Sequence, residues 1–323
     1  MSEERYQPDE ENLFLDPEEV ADFEDFDSNE SKLTDDSKEY SSIEIQPAKS
    51  QVICIASGKG GTGKTMVAAN LAVLLAKQGL KVLLIDADFG LANSHLILGL
   101  EPEHDVSSVF TGEKTVSEII IEGPGGLKLV PGGSGFSELA MLGDEKFLQL
   151  IKGLHELEDK ADIILVDLPA GINPQVMCLL NAAHELIIVT TPEVTSLVDA
   201  YALIKSLTKM SENIAPQIII NRSKDKARAI VAFQKLLSVT QKHLTGKVFP
   251  KFLGWVPQNW YVINSVASRK PLVNRHPQCF ATACLELIAS KTLKRHVKWV
   301  DQQTETFVYP SYFAKLEHVV YGR

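Results

Sequence analysis

Cysteine is scarce in this sequence and is never paired. Cys54, Cys178, Cys279 and Cys284 are the four in 323 residues. No CxxC occurs and no zinc-like spacing, which excludes a dithiol redox motif or a Cys-rich metal module. Cys54 lies inside the apolar run QVICIA and reads as a packed core residue. No apolar stretch reaches the ~18 residues needed to cross a bilayer. The first residues, MSEERYQPDEEN, lack a basic and then apolar leader, so the expectation is a reducing cytoplasm. Basic charge is nearly missing from the start of the chain. Residues 1–50 hold 17 acidic and 4 basic residues, a balance of −13. The remaining 25 acidic and 28 basic residues leave +3, so an acidic arm supplies the whole net charge of −10.

That arm, residues 1–48, is too charged and too poor in β-branched residues to bury a core of its own, and is expected to be disordered. Two apolar clusters interrupt it, Leu13-Phe14-Leu15 and Phe23 with Phe26. It reads either as a solubilising tail or as a short motif for an unknown protein client.

After residue 50, short apolar runs alternate with helical ones. QVICIA, KVLLIDAD, GLKLVPGG, ADIILVDLPAG, HELIIVTTP, QIIINRS and KFLGWVPQ read as strands. They are apolar on both faces, as strands are when helices cover both sides of a parallel sheet. The pattern predicts an α/β fold, a doubly wound and mostly parallel sheet. Ligands in such sheets gather at the carboxyl ends of strands. A last helix is expected over about 278–300. The expected domain is 49–296, with 297–323 as a C-terminal tail.

One stretch, SGKGGTGKT, carries the chemistry. GxxxxGK[ST] is met by Gly58, Gly63, Lys64 and Thr65. Glycines let backbone N–H groups turn inward onto phosphate oxygens, and the next helix adds its positive end. Lys64 is expected to bridge the terminal phosphates and Thr65 to place its hydroxyl on Mg²⁺. The cradle expected for ATP is Gly58, Lys59, Gly60, Gly61, Thr62, Gly63, Lys64 and Thr65, with Met66 behind it.

KGGTGKT at 59–65 resembles the deviant Walker A loop, KGGxGK[ST], of the MinD/ParA ATPases. The resemblance covers roughly residues 51–290 and implies a P-loop NTPase of the SIMIBI class. It implies that Lys59 reaches the nucleotide of a second subunit, in a homodimer closed around two ATP molecules. LIDADFGLAN resembles the family's first switch. By that match Asp88 positions the attacking water, Asn93 supports the dimer face, and Asp86 serves Mg²⁺ indirectly. Relatives often carry an acid where this chain has His95. ILVDLPAG resembles a Walker B strand and second switch, with Asp167 holding a water on Mg²⁺ and Gly171 near the γ-phosphate. A guanine-reading NKxD is absent, since Asn221 is followed by Arg222, Ser223 and Lys224. The family's base contacts map onto Asn221, Arg222 and the VPQN loop with Pro257, which favours ATP.

The wording of TTPEVTSLVDAYALIK and LGWVPQNWYVINSVASRKPLV resembles the flagellar-number regulator branch, FlhG/YlxH. The branch's DQAxxLR segment is missing, and the acidic arm stands in its place. The implied function is a slow ATPase and dimerisation switch that sets the placement or number of a cell-envelope machine. The alternatives are a ParA-like partition ATPase that binds DNA non-specifically, and a nucleotide-gated module with negligible turnover. Residues 287–300, LIASKTLKRHVKWV, offer an apolar stripe, a basic flank and Trp299 as an anchor for the inner face of the membrane. The segment FVYPSYFAKLEHVVYG offers a second amphipathic candidate. Against these stands plain packing on the sheet. DNA, through NRSKDKAR at 221–228 and SRKPLVNRH at 268–276, ranks below membrane as a partner.

Overall fold

The structure, a computed structural model, describes residues 47–89, 92–133, 144–211, 214–244, 248–303 and 308–321. The acidic arm up to residue 46 lies outside the described residues, as do Gly90 and Leu91 of the first-switch motif. The strands are β1 (Gln51–Ala56), β2 (Val82–Asp86), β3 (Ile121–Glu122), β4 (Lys128–Val130), β5 (Ile163–Asp167), β6 (Glu185–Thr190), β7 (Gln217–Ser223) and β8 (Lys251–Pro257). They form one eight-stranded sheet in the order β3-β4-β2-β5-β1-β6-β7-β8. Every pairing is parallel except β3 with β4. The seven strand segments read from the sequence are all present. The two-residue β3 was not among them.

The helices follow in chain order. They are α1 (Lys64–Lys77), α2 (Ser94–Leu98), α3 (Val106–Phe110), α4 (Asp144–His155), α5 (Pro174–Ala182) and α6 (Val194–Leu207). Then come α7 (Lys226–His243), α8 (Trp260–Ala267), α9 (Leu272–Arg275), α10 (Phe280–Gln302) and α11 (Tyr312–Tyr321).

Successive side chains of a strand point to opposite faces, and each face here is covered. Val52, Cys54, Ile164, Val166, Ile188 and Ile218 join a core under α4, α5, α6, α7 and α11. Ile53, Ile55, Leu84, Leu165, Ile187 and Ile219 join a second core under α1, α9 and α10. That double burial is why the strands lack an alternating polar face, and it makes the fold doubly wound. Burial pushes the Cys54 thiol up to about 12, so it stays protonated as a core residue.

The C-terminal region differs from its expected role. α10 runs through the line drawn at residue 296. Trp299, expected as an exposed anchor, is buried, its ring against those of His184, His296 and Tyr309. α11 lays Tyr312, Phe313 and Leu316 into the core beside α4 and α5. Glu317 and His155 tie its outer side, 3.0 Å apart. Plain packing, the competing reading of both stripes, accounts for these residues. Val297 and Val300 stay exposed.

Candidate functional site

β1 is central, so the loop leaving its carboxyl end is flanked by the ends of β5 and β6. Gly61 and Gly63 have φ of +80° and +85°, a region L side chains avoid. These turns send the chain straight into α1 at Lys64. A side chain at Gly58 would collide with the carbonyl of Asp199 on α6, and one at Gly63 with the amide of Asn221. α1 has no side-chain cap and no acid in its first turn. Its first N–H groups and positive end are therefore free to serve an anion. Met66 is buried in that first turn.

Parallel register sets the acidic side of the site. Asp167 pairs with Ile55 on β1 and with Asp86 on β2, so the two carboxylates end neighbouring strands. Lys64 Nζ lies 2.5 Å from Asp167 Oδ1, both side chains buried. Burial pushes the Asp167 carboxyl up, and Lys64 pulls it back. Removing one member would leave a buried charge uncompensated, a cost of about 3–5 kcal/mol. Asp167 Oδ2 is buried without a hydrogen-bond partner. Thr65 Oγ1 accepts from the Lys64 ammonium at 3.5 Å, and the hydroxyl is near enough to Asp167 to help hold its pKa down.

Asp86 is used differently. Its Oδ1 accepts from the Asp88 N–H at 3.2 Å, and its Oδ2 from the N–H groups of Asn93 and Ser94 at 3.0 and 2.8 Å. Both oxygens therefore brace the first-switch loop. Burial, and next the Asp167 charge, push this carboxyl up to about 7. Asp88 is half-buried and near enough to Asp167 to raise its pKa. Asn93 is exposed at the start of α2. Gly171 stands on the other side with φ +104°, its N–H donating to the Ser57 carbonyl at 3.1 Å. The second switch thus touches the phosphate loop.

The base-side residues also converge. Asn221 is buried at the end of β7, donating its amide to the Thr62 carbonyl at 2.7 Å and accepting from the Arg222 N–H at 2.9 Å. Arg222 has φ +57° and reaches the Gly61 carbonyl at 3.3 Å. Pro257 is buried at the end of β8, and the next N–H, of Gln258, donates to the Ser223 carbonyl at 2.7 Å. In this conformation Asn221 and Arg222 hold the loop itself.

Lys59 stands apart from Lys64. Its ammonium donates to Thr195 Oγ1 at 3.1 Å and lies 4.0 Å from Glu193, and the side chain is 44% exposed. Thr195 and Glu193 were not singled out in the sequence. The one signal for them was the TTPEVTS wording at the end of β6, 136 residues from Lys59.

The residues fit a magnesium nucleotide. On the buried Asp167 carboxylate one oxygen is held by Lys64 and the other has no partner, beside a glycine loop that runs into an uncapped helix start. Among the described residues no cluster of three or more His, Cys, Asp or Glu could hold a metal without such a ligand. No described helix is long and apolar enough to cross a membrane.

Strand, glycine loop, buried lysine and neighbouring strand-end aspartate define a P-loop nucleotide-hydrolase fold. The AAA domain family matches residues 50–220. The antiactivator FleN of Pseudomonas aeruginosa is 34% identical, over 75% of this chain and 85% of its own. The flagellum site-determining protein YlxH of Helicobacter pylori is 32% identical, over 73% and 80%. The septum site-determining protein MinD of Pyrococcus horikoshii, solved with Mg-ADP, superposes with a TM-score of 0.62 at 27% identity, over 76% and 97% of the two chains. The chain belongs to the AAA domain family that matches it and is a P-loop ATPase of the MinD/ParA family, close to the flagellar regulators.

Proposed function

We propose that this protein is an ATP-dependent dimerisation switch that slowly hydrolyses ATP to set the placement or number of a cell-envelope machine. The observation that carries the proposal is the contrast between the two lysines. Lys64 is buried on Asp167, whereas Lys59 sits at the rim on two partners that water can reach. Exposed ion pairs of this kind contribute about 0–1 kcal/mol, so Lys59 can exchange them for a phosphate at little cost. Ile172, Val194 and Val198 are exposed and belong to the second switch and the start of α6. A second copy closing over the site would cover them.

Each residue then has a role. Loop N–H groups and Lys64 hold the phosphates, Thr65 and Asp167 hold the metal side, and Asp88 orients a water. Asp86 acts through the backbone, fixing the segment that carries Asp88 and Asn93. Bound magnesium supplies neutralisation of charge on the phosphate oxygens. Lys59 from the facing copy adds an in-trans cation. Loss of the terminal phosphate relaxes both switches and returns monomers.

Phosphate release by the full chain, Lys64→Ala and Lys59→Ala tests this. Lys64→Ala is expected to abolish turnover. Lys59→Ala is expected to bind ATP as a monomer, with turnover lowered roughly 10²–10³-fold. Unmodified protein no faster than Lys64→Ala would favour the binding module without turnover. Normal ATP-dependent dimers of Lys59→Ala would remove the trans role.

A further inference from the structure

Between Asp225 and Glu286 the sequence holds nine Lys or Arg and no Asp or Glu. The rest of the chain after residue 50 holds 19 basic and 25 acidic residues, a balance of −6. The acid-free stretch folds as α7, β8, α8, α9 and the start of α10, so it occupies the β8 edge of the sheet. The near-neutral body is therefore polarised, with one positive flank. α8 adds an apolar stripe there. Trp260, Ile263 and Val266 recur every three residues and are 55%, 64% and 43% exposed. Arg269, Lys270 and Arg275 are exposed just beyond it.

We propose that this flank is the docking surface for the chain's own acidic arm, residues 1–46. The Leu13-Phe14-Leu15 and Phe23/Phe26 clusters cover the α8 stripe, and the carboxylates around them meet Arg269, Lys270 and Arg275. The arm has what the flank lacks, acid interleaved with large apolar side chains. The body outside the flank, at −6, repels it.

The tether is long enough. From Phe26 to Pro47 there are 21 residues, which reach about 70 Å when extended. Three strand spacings separate β1 from β8, about 15 Å, and the strands are about 20–25 Å long. A tethered segment competes at an effective concentration near the millimolar range. The arm thus guards the flank, and an external polyanion must displace it. Nucleic acid would use the same cations but leave the tryptophan stripe uncovered.

Trp260 provides the readout, because Trp255 and Trp299 are buried. Quenching of tryptophan emission by acrylamide, a neutral probe, is measured on the full chain and on a full-length variant with Leu13, Phe14, Leu15, Phe23 and Phe26 all changed to Ser. A Trp260→Phe protein identifies the signal. At low salt Trp260 is expected to be shielded in the unmodified chain and roughly 2–3-fold more quenchable in the five-Ser variant. Salt near 0.5 M, where screening acts within about 4 Å, is expected to expose it as well. Duplex DNA is expected to bind the five-Ser variant more tightly than the unmodified chain. Equal quenching in the two proteins would overturn the proposal. Shielding that vanishes on dilution would overturn it too, by assigning the cover to a second copy. DNA binding equal in the two proteins would show that the flank is unguarded.

Discussion

His184 holds two parts of the chain together with one ring. Its Nδ1 accepts from the Val52 N–H at 2.9 Å, and its Nε2 donates to the Pro310 carbonyl at 3.0 Å. Burial pushes its pKa down from 6.5 to about 4. The native ring stays neutral while the unfolded one takes a proton, so its stabilisation is complete above pH 6.5 and lost as pH falls toward 4. Asp86 leans the other way. With its carboxyl raised to about 7, folding takes up a proton between pH 4 and 7, and that contribution fades as pH rises through the window. The nucleotide-free protein should show the two slopes opposing. In His184→Gln the melting temperature at pH 5 minus that at pH 7 should be more positive than in the unmodified chain. An unchanged difference would remove His184 as the acid-side group.

The places of Lys64, Thr65 and Asp167 were legible in the sequence because each sits in a local pattern, a glycine turn or an apolar strand end, although the Lys64–Asp167 contact itself spans 103 residues. The Lys59 partners were not, since Thr195 meets it only after the sheet has placed β6 beside β1. Asp86 shows a subtler limit. Its place at a strand end was plain, but its engagement with three backbone N–H groups of residues 88–94 was not.

At the scale of elements, α11 shows how a stripe can mislead. Its amphipathic pattern suits a membrane surface or a sheet equally. The structure gives Tyr312, Phe313 and Leu316 to the core, with Ser311 bonded to the buried Glu158. Phe313→Ala should cost about 3–5 kcal/mol, the usual range for deleting a fully buried phenyl ring. A denaturant midpoint moving by a small fraction of that would mean the helix contributes little to holding the fold. Trp299 could not be read correctly from its own helix, because His184 and Tyr309, which enclose it, come from other segments. β3 escaped for a different reason, being a two-residue edge pairing with no periodicity to detect. The long strands were readable because burial on both faces leaves an uninterrupted apolar run.

For the whole molecule, the proposed contact with a membrane would fall to what remains outside. Val297 and Val300 are each 49% exposed, with Lys294 and Lys298 exposed beside them on α10. If that face meets anionic lipid, Val297→Asp with Val300→Asp should weaken ATP-dependent co-sedimentation with phosphatidylglycerol vesicles roughly tenfold. Undiminished pelleting would clear α10 of that task. Neither valine enters a core, so the double variant should melt as the unmodified protein does.

Pro47 bridges to Pro310, and the Ala48 N–H donates to the Tyr309 carbonyl at 2.8 Å. This stitch lies before β1, while the phosphate loop lies after it. Mechanical load applied through the two chain ends would fall first on the stitch and on the seat of α11. The phosphate loop, on the far side of β1, is not part of that path, so the molecule can be hauled through Pro47 and α11 without first disturbing it.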